Sequence, residues 1–276
     1  MLVSSKEMVL RAQREGYAVG AFNTSDLEIT KAIVGAAERM RSPVIVETTE
    51  HAIGYAGLEN IANIVITEAK NSSVPVALHL DHGSSTERIK DCIRAGYTSV
   101  MIDGSNMAFS ENVRLTKEAV AIAHANNVPC EGELGSMGKA GMREAEETEP
   151  GEVEEFVRET DVDFLAVSIG STHGIDADEK LNIELLKEIR SKTDIPLALH
   201  GASGVSDNDL QMAINNGICK INMDTDIRFT FTRELRRVLE ENPEINDPRK
   251  ILNPAIQAVQ KLVENQIKLF GSAEKA

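Results

Sequence analysis

The chain has 276 residues, of which 42% are hydrophobic and 26% are charged, and its formal net charge is −15. This is the composition of a globular protein with a sizeable core, and no run of about 18 apolar residues predicts a membrane span. The acidic charge argues against nucleic acid or an anionic membrane as a partner. Residues 1–20 lack the hydrophobic block of a signal peptide, and three scattered cysteines predict a reducing, cytoplasmic compartment.

Short apolar segments alternate with segments of helical periodicity along the chain. Eight of them predict buried strands, at 18–23, 43–47, 75–81, 98–103, 128–134, 163–170, 196–200 and 219–224. This alternation predicts parallel strands joined by crossover helices. The fold class is therefore α/β, and eight units in a chain of this length predict a single (β/α)8 TIM barrel domain over residues 1–276. A doubly wound open sheet is the alternative, but no Gly-x-Gly-x-x-Gly follows the first strand.

Two segments depart from the alternation. An acidic, glycine-containing loop at 135–152 follows the fifth strand, and residues 247–271 predict a helical extension at the carboxyl end. Within the regular units, Ser25 and Ser110 are the predicted N-caps of two of the helices, and Ser84-x-x-Glu87 and Ser206-x-x-Asp209 are predicted capping boxes.

Polar side chains lie at most of the predicted strand ends, where catalytic groups cluster in this fold. Three of the six histidines in the chain, His82, His173 and His200, lie at these ends. Three neutral imidazoles with an open position form a typical catalytic zinc site, so these residues are the predicted ligands of one metal ion. Hydrogen-bonded structural histidines are the competing interpretation.

Strand parity separates the roles of the neighbouring residues. His79 and Asp81 share the inward face of the third strand, whereas the direction of His82 is not fixed because the strand ends there. Asp81 is adjacent to a ligand and itself free, so it is the predicted general acid/base, with His79 supporting the site from below. Asp103 and Glu133 either bind a second divalent ion or orient the histidines through hydrogen bonds.

The loops after the seventh and eighth strands read "HGASG" (200–204) and "NMDTD" (222–226). Loops at these places form the usual phosphate cradle of the fold, with backbone N–H groups facing the anion. They explain how a strongly acidic chain could hold a phosphate.

Other site chemistries remain open from these residues alone. Lys220 on the eighth strand allows a Schiff-base mechanism. A metallohydrolase barrel commonly opens with His-x-His on its first strand, which here reads "AVGAFN", and a non-enzymatic sugar-phosphate-binding barrel is the remaining alternative. His51 and His124 are expected to be surface or packing residues.

Seven segments occur in order: "AFNTSDLE", "HLDHGSS", "SVMIDGS", "EGELG", "AVSIGSTHG", "LHGASG" and "CKINMDTD". Together they resemble the class II, metal-dependent ketose-bisphosphate aldolases, over nearly the whole chain. The resemblance implies reversible cleavage of a ketose 1,6-bisphosphate to dihydroxyacetone phosphate and glyceraldehyde 3-phosphate, as in glycolysis. Fructose 1,6-bisphosphate is the leading substrate, and tagatose bisphosphate or another ketose phosphate is the alternative.

The resemblance also implies roles residue by residue. Asp81 would handle the C4 hydroxyl proton while a zinc ion stabilises the enediolate. The implied zinc ligands are His82, His173 and His200, and the implied second metal position is Asp103 and Glu133. The implied substrate and phosphate contacts are Asn23, Gly174, Gly201, Ala202, Ser203, Asn222, Met223, Asp224 and Thr225. The family is typically dimeric or tetrameric, sometimes with a monovalent cation, Na+ or K+, near the phosphate.

Two segments depart from the family pattern. After "HG" the family usually carries Tyr and then Pro-x-Leu, whereas this chain reads "HGIDADEKLN". After "ELG" the family often has a mobile loop with a proton-transfer glutamate, for which Glu144 is the nearest replacement here. Arg228 and Arg249 are the candidates for the second phosphate. Both departures flank the substrate, so they concern specificity more than the type of reaction.

Overall fold

The computed structural model describes residues 1–136, 138–139, 146–173 and 180–276, and the side chains of 138–139 and 172–173 lie outside this description. The strands in these ranges are β1 (Val19–Asn23), β2 (Val44–Thr49), β3 (Val76–Gly83), β4 (Ser99–Ile102), β5 (Cys130–Leu134), β6 (Gly138–Lys139), β7 (Phe164–Val167), β8 (Thr172–His173), β9 (Leu197–Leu199) and β10 (Ile218–Met223).

Eight of these strands close into a barrel in the order β1-β10-β9-β7-β5-β4-β3-β2. Every neighbouring pair is parallel, and β1 completes the ring by pairing with both β2 and β10. The predicted (β/α)8 barrel is therefore confirmed, and each barrel strand falls on one of the eight predicted apolar segments. The two short strands β6 and β8 pair with each other outside the barrel, in segments with no predicted strand of their own.

Helices surround the barrel. Within the described ranges they are α1 (Ser5–Glu15), α2 (Leu27–Met40), α3 (Glu50–Ala56), α4 (Leu58–Asn71), α5 (Thr86–Arg94), α6 (Phe109–Ala125), α7 (Pro150–Thr160), α8 (Ile183–Arg190), α9 (Asp207–Asn215), α10 (Thr225–Glu241) and α11 (Pro248–Leu269). None of the helices described here is long and apolar enough to cross a membrane.

Three of the predicted N-caps are wrong by one or two residues. Ser85 caps α5 instead of Ser84, because its hydroxyl accepts the N–H of Arg88 at 3.2 Å. Asp26 caps α2 instead of Ser25, because its carboxylate accepts the N–H of Ile29 at 2.8 Å. Ser110 lies inside α6, because a turn closed by the Met107 N–H and the Gly104 carbonyl starts the helix earlier. The Ser206 cap is confirmed by its bond to the N–H of Asp209.

Side chains of β3 show how the barrel separates its two cores. Val76, Leu78 and Leu80 belong to the large core between strands and helices. Ala77 instead joins a smaller core with Met8 and other residues of α1, which closes the amino-terminal end of the barrel. The predicted alternation is confirmed, and it leaves the inward positions nearer the carboxyl ends for polar side chains.

The predicted helical extension at the carboxyl end is α11. It packs against α2 and α10, and Val259, Val263 and Ile267 are buried in that contact. The helix therefore takes a place in the outer ring.

Candidate active site

A cavity of about 1190 Å³ opens at the carboxyl ends of the barrel strands. It brings together most of the side chains that sequence reasoning assigned to the site. Those lining it are Asn23, Asp81, His82, Asp103, Glu133, His200, Gly201, Ser203, Asn222, Asp224 and Thr225. The side chains of Ala202 and Met223 are buried in the helix-facing core instead, so only their backbones are available to a substrate. The side chain of His173 and all of Gly174 and Glu144 lie outside the described residues.

A local irregularity in β3 places two consecutive residues in the cavity. The pairing of β3 with β4 shifts register between Leu80 and Gly83, and His82 has a left-handed φ of 49°. Histidine is among the few residue types that adopt this conformation with some frequency. The turn directs His82 beside Asp81 although neighbouring strand residues normally face opposite sides. A Cβ at Gly83 would lie 2.6 Å from the Met101 carbonyl oxygen, so this turn requires glycine.

His82 and His200 face each other across the cavity. Nε2 of His82 lies 3.1 Å from Nδ1 of His200. The opposite nitrogens contact carboxylates: Nδ1 of His82 lies 2.8 Å from Asp103, and Nε2 of His200 lies 2.7 Å from Glu131. Such carboxylates hold a proton on the far nitrogen and leave a lone pair on the near one. Two lone pairs at this distance repel unless a cation lies between them, so the donor set fits a metal ion.

The charge around His82 also favours a cation. Burial alone would lower the pKa of His82, but the carboxylates of Asp81, Asp103 and Glu133 outweigh it and raise the pKa to about 10. Burial dominates at His200 and lowers its pKa. The pair therefore attracts positive charge, which a proton or a metal ion supplies. His82 and His200 with Asp81 form one group of donor atoms within ligand distance of one another.

Asp81 is a buried, ionised carboxylate at the cavity wall. Its two oxygens accept the side-chain amides of Asn23 at 2.9 Å and Asn222 at 3.2 Å. Burial alone would raise the pKa of Asp81, but nearby positive charge, at His82 foremost, outweighs it and lowers the pKa. A carboxylate in this state accepts a proton from a substrate hydroxyl once one is in reach.

Asp103 and Glu133 differ in how their oxygens are used. One oxygen of Asp103 binds His82 and the other accepts both the N–H and the hydroxyl of Ser105, at 3.0 and 2.7 Å. These bonds favour an orienting role for Asp103. One buried oxygen of Glu133 has no hydrogen-bond partner in the part of the chain that the structure describes, and it lies 3.5 Å from Nδ1 of His82. Burial raises the pKa of Glu133 well above the ordinary value. His82, Asp103 and Glu133 also offer donor atoms within ligand distance of one another, which is compatible with a second divalent ion. That ion stays a prediction.

Sequence reasoning assigned no role to Glu131 and considered Lys220 only for a Schiff base. Glu131, fully buried, holds His200, and Lys220, 1% exposed, lies 3.0 Å from the same carboxylate. Inward parity with Glu133 on β5 was the one sequence signal for Glu131. Burial alone would lower the pKa of Lys220, but Glu131 foremost outweighs it and raises the pKa. Lys220 is therefore an ammonium that does not line the cavity, which argues against the Schiff-base alternative.

The two candidate arginines are separated by the fold. Arg228 lines the cavity and bonds Asp224 at 2.9 Å, whereas Arg249 is 90% exposed beside Asp247 and lies outside the cavity lining. Among the described cations of this chain, Arg228 is the better placed for a second phosphate. His51, expected on the surface, is exposed but lies at the cavity rim.

Glu47 on β2 is a buried carboxyl group beneath the site. It is 0% exposed, neither of its oxygens has a hydrogen-bond partner among the described residues, and the Lys220 ammonium is 3.8 Å away. Burial, and then the charge of Asp81, raise the pKa of Glu47 well above its ordinary value of 4.5. The raised pKa favours the neutral form of Glu47 in the folded protein.

Replacing Glu47 by glutamine is expected to make folding stability less dependent on pH. In the parent, the unfolded chain releases the Glu47 proton above pH 4.5 while the folded chain keeps it, so stability falls as pH rises, by up to about 1.4 kcal/mol per pH unit. The glutamine variant lacks this loss. Chemical unfolding at about pH 5 and about pH 8 measures it. Glu59→Gln on the exposed surface is the control, and an equal pH dependence in parent and Glu47→Gln would contradict the neutral state.

Comparison with known proteins agrees with this geometry. The model of the family "Fructose-bisphosphate aldolase class-II" matches residues 3–275. A fructose-bisphosphate aldolase from Geobacillus stearothermophilus is 44% identical, covering 100% of this chain and 99% of that protein. A 6-phospho-5-dehydro-2-deoxy-D-gluconate aldolase from Bacillus subtilis (strain 168) is 42% identical, covering 99% and 97%. The crystal structure of the YdjI aldolase from Escherichia coli K12 superposes with a TM-score of 0.87 at 35% identity, covering 100% of both chains. The chain is therefore an aldolase and belongs to the class-II fructose-bisphosphate aldolase family.

Proposed function

We propose that the protein is a zinc-dependent aldolase that reversibly cleaves fructose 1,6-bisphosphate to dihydroxyacetone phosphate and glyceraldehyde 3-phosphate. The observation that carries this proposal is the pair of imidazole nitrogens of His82 and His200, 3.1 Å apart and beside the ionised Asp81. The 44% identity to a fructose-bisphosphate aldolase supports the choice of substrate.

The chain's own residues supply the proton transfer. Zinc held by His82 and His200, with His173 as the proposed third ligand, would act as a Lewis acid toward the ketose carbonyl. Asp81 accepts the C4 hydroxyl proton as the C3–C4 bond breaks, and the electron pair of that bond passes to the C2 carbonyl. The fragments formed are the aldehyde and the enediolate, and the enediolate then takes up a proton at the former C3 to become dihydroxyacetone phosphate. In the reverse direction Asp81 returns the proton to the new hydroxyl.

The loops after β9 and β10 are the proposed phosphate cradle. Gly201, Ser203 and Thr225 line the cavity there, and the Ser203 hydroxyl accepts the N–H of Asp226 at 3.2 Å. This contact joins the β9 loop to the start of α10, where Asp224 makes no capping bond of its own. A helix start of this kind favours an anion. Arg228 would then contact the second phosphate.

Further parts of the proposal rest on the family resemblance. They are a second divalent ion at Asp103 and Glu133, a monovalent cation near the phosphate, and a homodimeric or homotetrameric assembly. The three cysteines are all buried and free, which supports a reducing, cytoplasmic location. A place in glycolysis follows from the proposed substrate.

Zinc-loaded protein is expected to release dihydroxyacetone phosphate from fructose 1,6-bisphosphate, to lose this activity with a chelator and to regain it with zinc. Borohydride with substrate should leave it active, because Lys220 is buried and charged. A coupled assay measures both results. Activity that survives the chelator but not borohydride would contradict the zinc chemistry.

A second candidate substrate is 6-phospho-5-dehydro-2-deoxy-D-gluconate, because relatives with that activity in their names are 42% and 41% identical. The same assay across this compound, tagatose 1,6-bisphosphate and fructose 1,6-bisphosphate separates the candidates. We expect kcat/KM to be highest for fructose 1,6-bisphosphate, by about 10-fold or more. A higher value for either competitor would overturn the substrate and leave the reaction type standing.

A further inference from the structure

Lys220 lies beneath the cavity and has no role in the proton transfer described above. Its Nζ donates to Oδ1 of Asn222 at 2.6 Å and to Oε1 of Glu131 at 3.4 Å, with Oε2 of the same carboxylate at 3.0 Å. Glu47 is farther away, at 3.8 Å. A single buried ammonium thus contacts two polar side chains that lead to different parts of the site.

The first path leads to a metal ligand. Glu131 accepts Nε2 of His200 at 2.7 Å, so it holds the proton on that nitrogen and turns Nδ1 toward His82. The Lys220 ammonium lies 3.4 and 3.0 Å from the two oxygens of the same carboxylate, so its position fixes the direction in which Glu131 accepts the His200 N–H. Lys220 therefore helps Glu131 to orient His200.

The second path leads to the acid/base. An amide offers an oxygen on one side and an NH2 on the other, and either orientation fits the same space. Because the oxygen of Asn222 accepts the Lys220 ammonium, its NH2 must face Asp81, where it donates at 3.2 Å. If the amide were reversed, its oxygen would face a carboxylate and the two would repel.

We infer that Lys220 is a positioning residue that sets both the tautomer of His200, through Glu131, and the orientation of Asp81, through Asn222. This inference deepens the proposed function and rests on it. One buried ammonium thereby positions residues of both the metal-binding half and the proton-transfer half of the site.

The test replaces Lys220 by methionine, which keeps the length of the side chain and removes the charge. Zinc affinity, measured by competition with a chelator, is expected to fall about 10- to 100-fold, the usual effect of disturbing a partner of a metal ligand. At saturating zinc, kcat should fall by a similar factor while KM changes little. Lys220→Gln is also uncharged but can donate a hydrogen bond, so its zinc affinity and kcat should lie between those of the parent and those of Lys220→Met.

Double variants identify the two paths. In a Glu131→Gln background, Lys220→Met should weaken zinc binding by no more than about twofold further, because the path is already broken. In an Asn222→Ala background, the loss of kcat caused by Lys220→Met should shrink in the same way. The inference would be overturned if the effects of the single substitutions multiplied in full in the double variants. It would also be overturned if Lys220→Met had the same zinc affinity and kcat as the parent.

A measurement on the unaltered zinc-loaded enzyme covers the case in which the variants do not fold. An ammonium held by Asn222 and Glu131 exchanges its protons slowly and gives a resolved Nζ signal in 15N correlation spectra. A rapidly exchanging or neutral amine would overturn the inference. If the parent neither binds zinc nor cleaves a ketose bisphosphate, the proposed function itself fails, whereas an active parent with an unchanged Lys220→Met variant sinks only the role of Lys220.

Discussion

Replacing Asp81 by alanine is expected to lower kcat by about 10²- to 10⁴-fold, the usual contribution of a positioned acid or base. The carboxylate is the one ionised group of the described cavity that is held by two amides and lies next to a proposed metal ligand without being needed to orient one. Zinc content should remain, because His82 and His200 keep their own carboxylate partners. Steady-state cleavage assays and metal analysis of the same preparation measure both quantities.

The matched control for this variant is Asp194→Ala, which removes a carboxylate from the exposed surface. It should match the parent in both measurements. Full turnover in Asp81→Ala would exclude Asp81 as the acid/base. Loss of zinc together with turnover would make Asp81 a ligand, as its place in the donor group with His82 and His200 permits.

Replacing His200 by alanine is expected to weaken zinc binding by more than the roughly 10- to 100-fold typical of a ligand's hydrogen-bond partner, and to abolish cleavage at ordinary zinc concentrations. The change removes one of the two facing nitrogens and leaves Glu131 buried without its imidazole. Zinc should then no longer raise the melting temperature, because the stabilisation by a ligand depends on its affinity. Thermal unfolding with and without zinc measures this.

His124→Ala is the control, because that imidazole binds Asp163 on the outside of the barrel at 2.9 Å. It should retain the zinc-dependent rise in melting temperature. A His200→Ala protein that still binds one zinc tightly and cleaves substrate would contradict the assignment of the metal to this site.

The barrel could be predicted because each strand is a short apolar segment bounded by polar or turn residues. Those properties are local, and local hydrophobic pattern is what a sequence states most directly. The N-caps of α2 and α6 were harder to predict, since several neighbouring residues can cap a helix and the conformation of the preceding turn determines which one does.

The inward direction of Asp81 followed from strand parity, whereas that of His82 did not. A register shift and a left-handed residue turn His82 into the cavity, and no pattern in "HLDHGSS" predicts such a turn. At the other end of the site, Met223 follows the inward Asn222 on β10, so parity alone would have placed its side chain in the outer core, where it lies.

The contacts of Lys220 and Glu131 could not be predicted from spacing. The two residues are 89 positions apart, and β7 and β9 lie between their strands in the barrel. Whether inward charges of opposite sign actually meet depends on the stagger of the closed sheet, which individual strand patterns do not specify. Strand patterns likewise do not distinguish the two roles predicted for Asp103. Its hydrogen bonds to His82 and Ser105, seen in the structure, favour the orienting role.

The left-handed backbone at His82 also limits what mutational drift can place at this position. Asparagine and aspartate adopt such a φ with comparable ease, but asparagine is a weak zinc ligand and aspartate would add negative charge beside Asp81, Asp103 and Glu133. Cysteine, the other common zinc ligand, has neither the backbone preference nor the second nitrogen that Asp103 holds. Backbone shape and charge therefore both disfavour the usual exchanges among zinc ligands, and histidine is the residue type that fits the proposed role at this position.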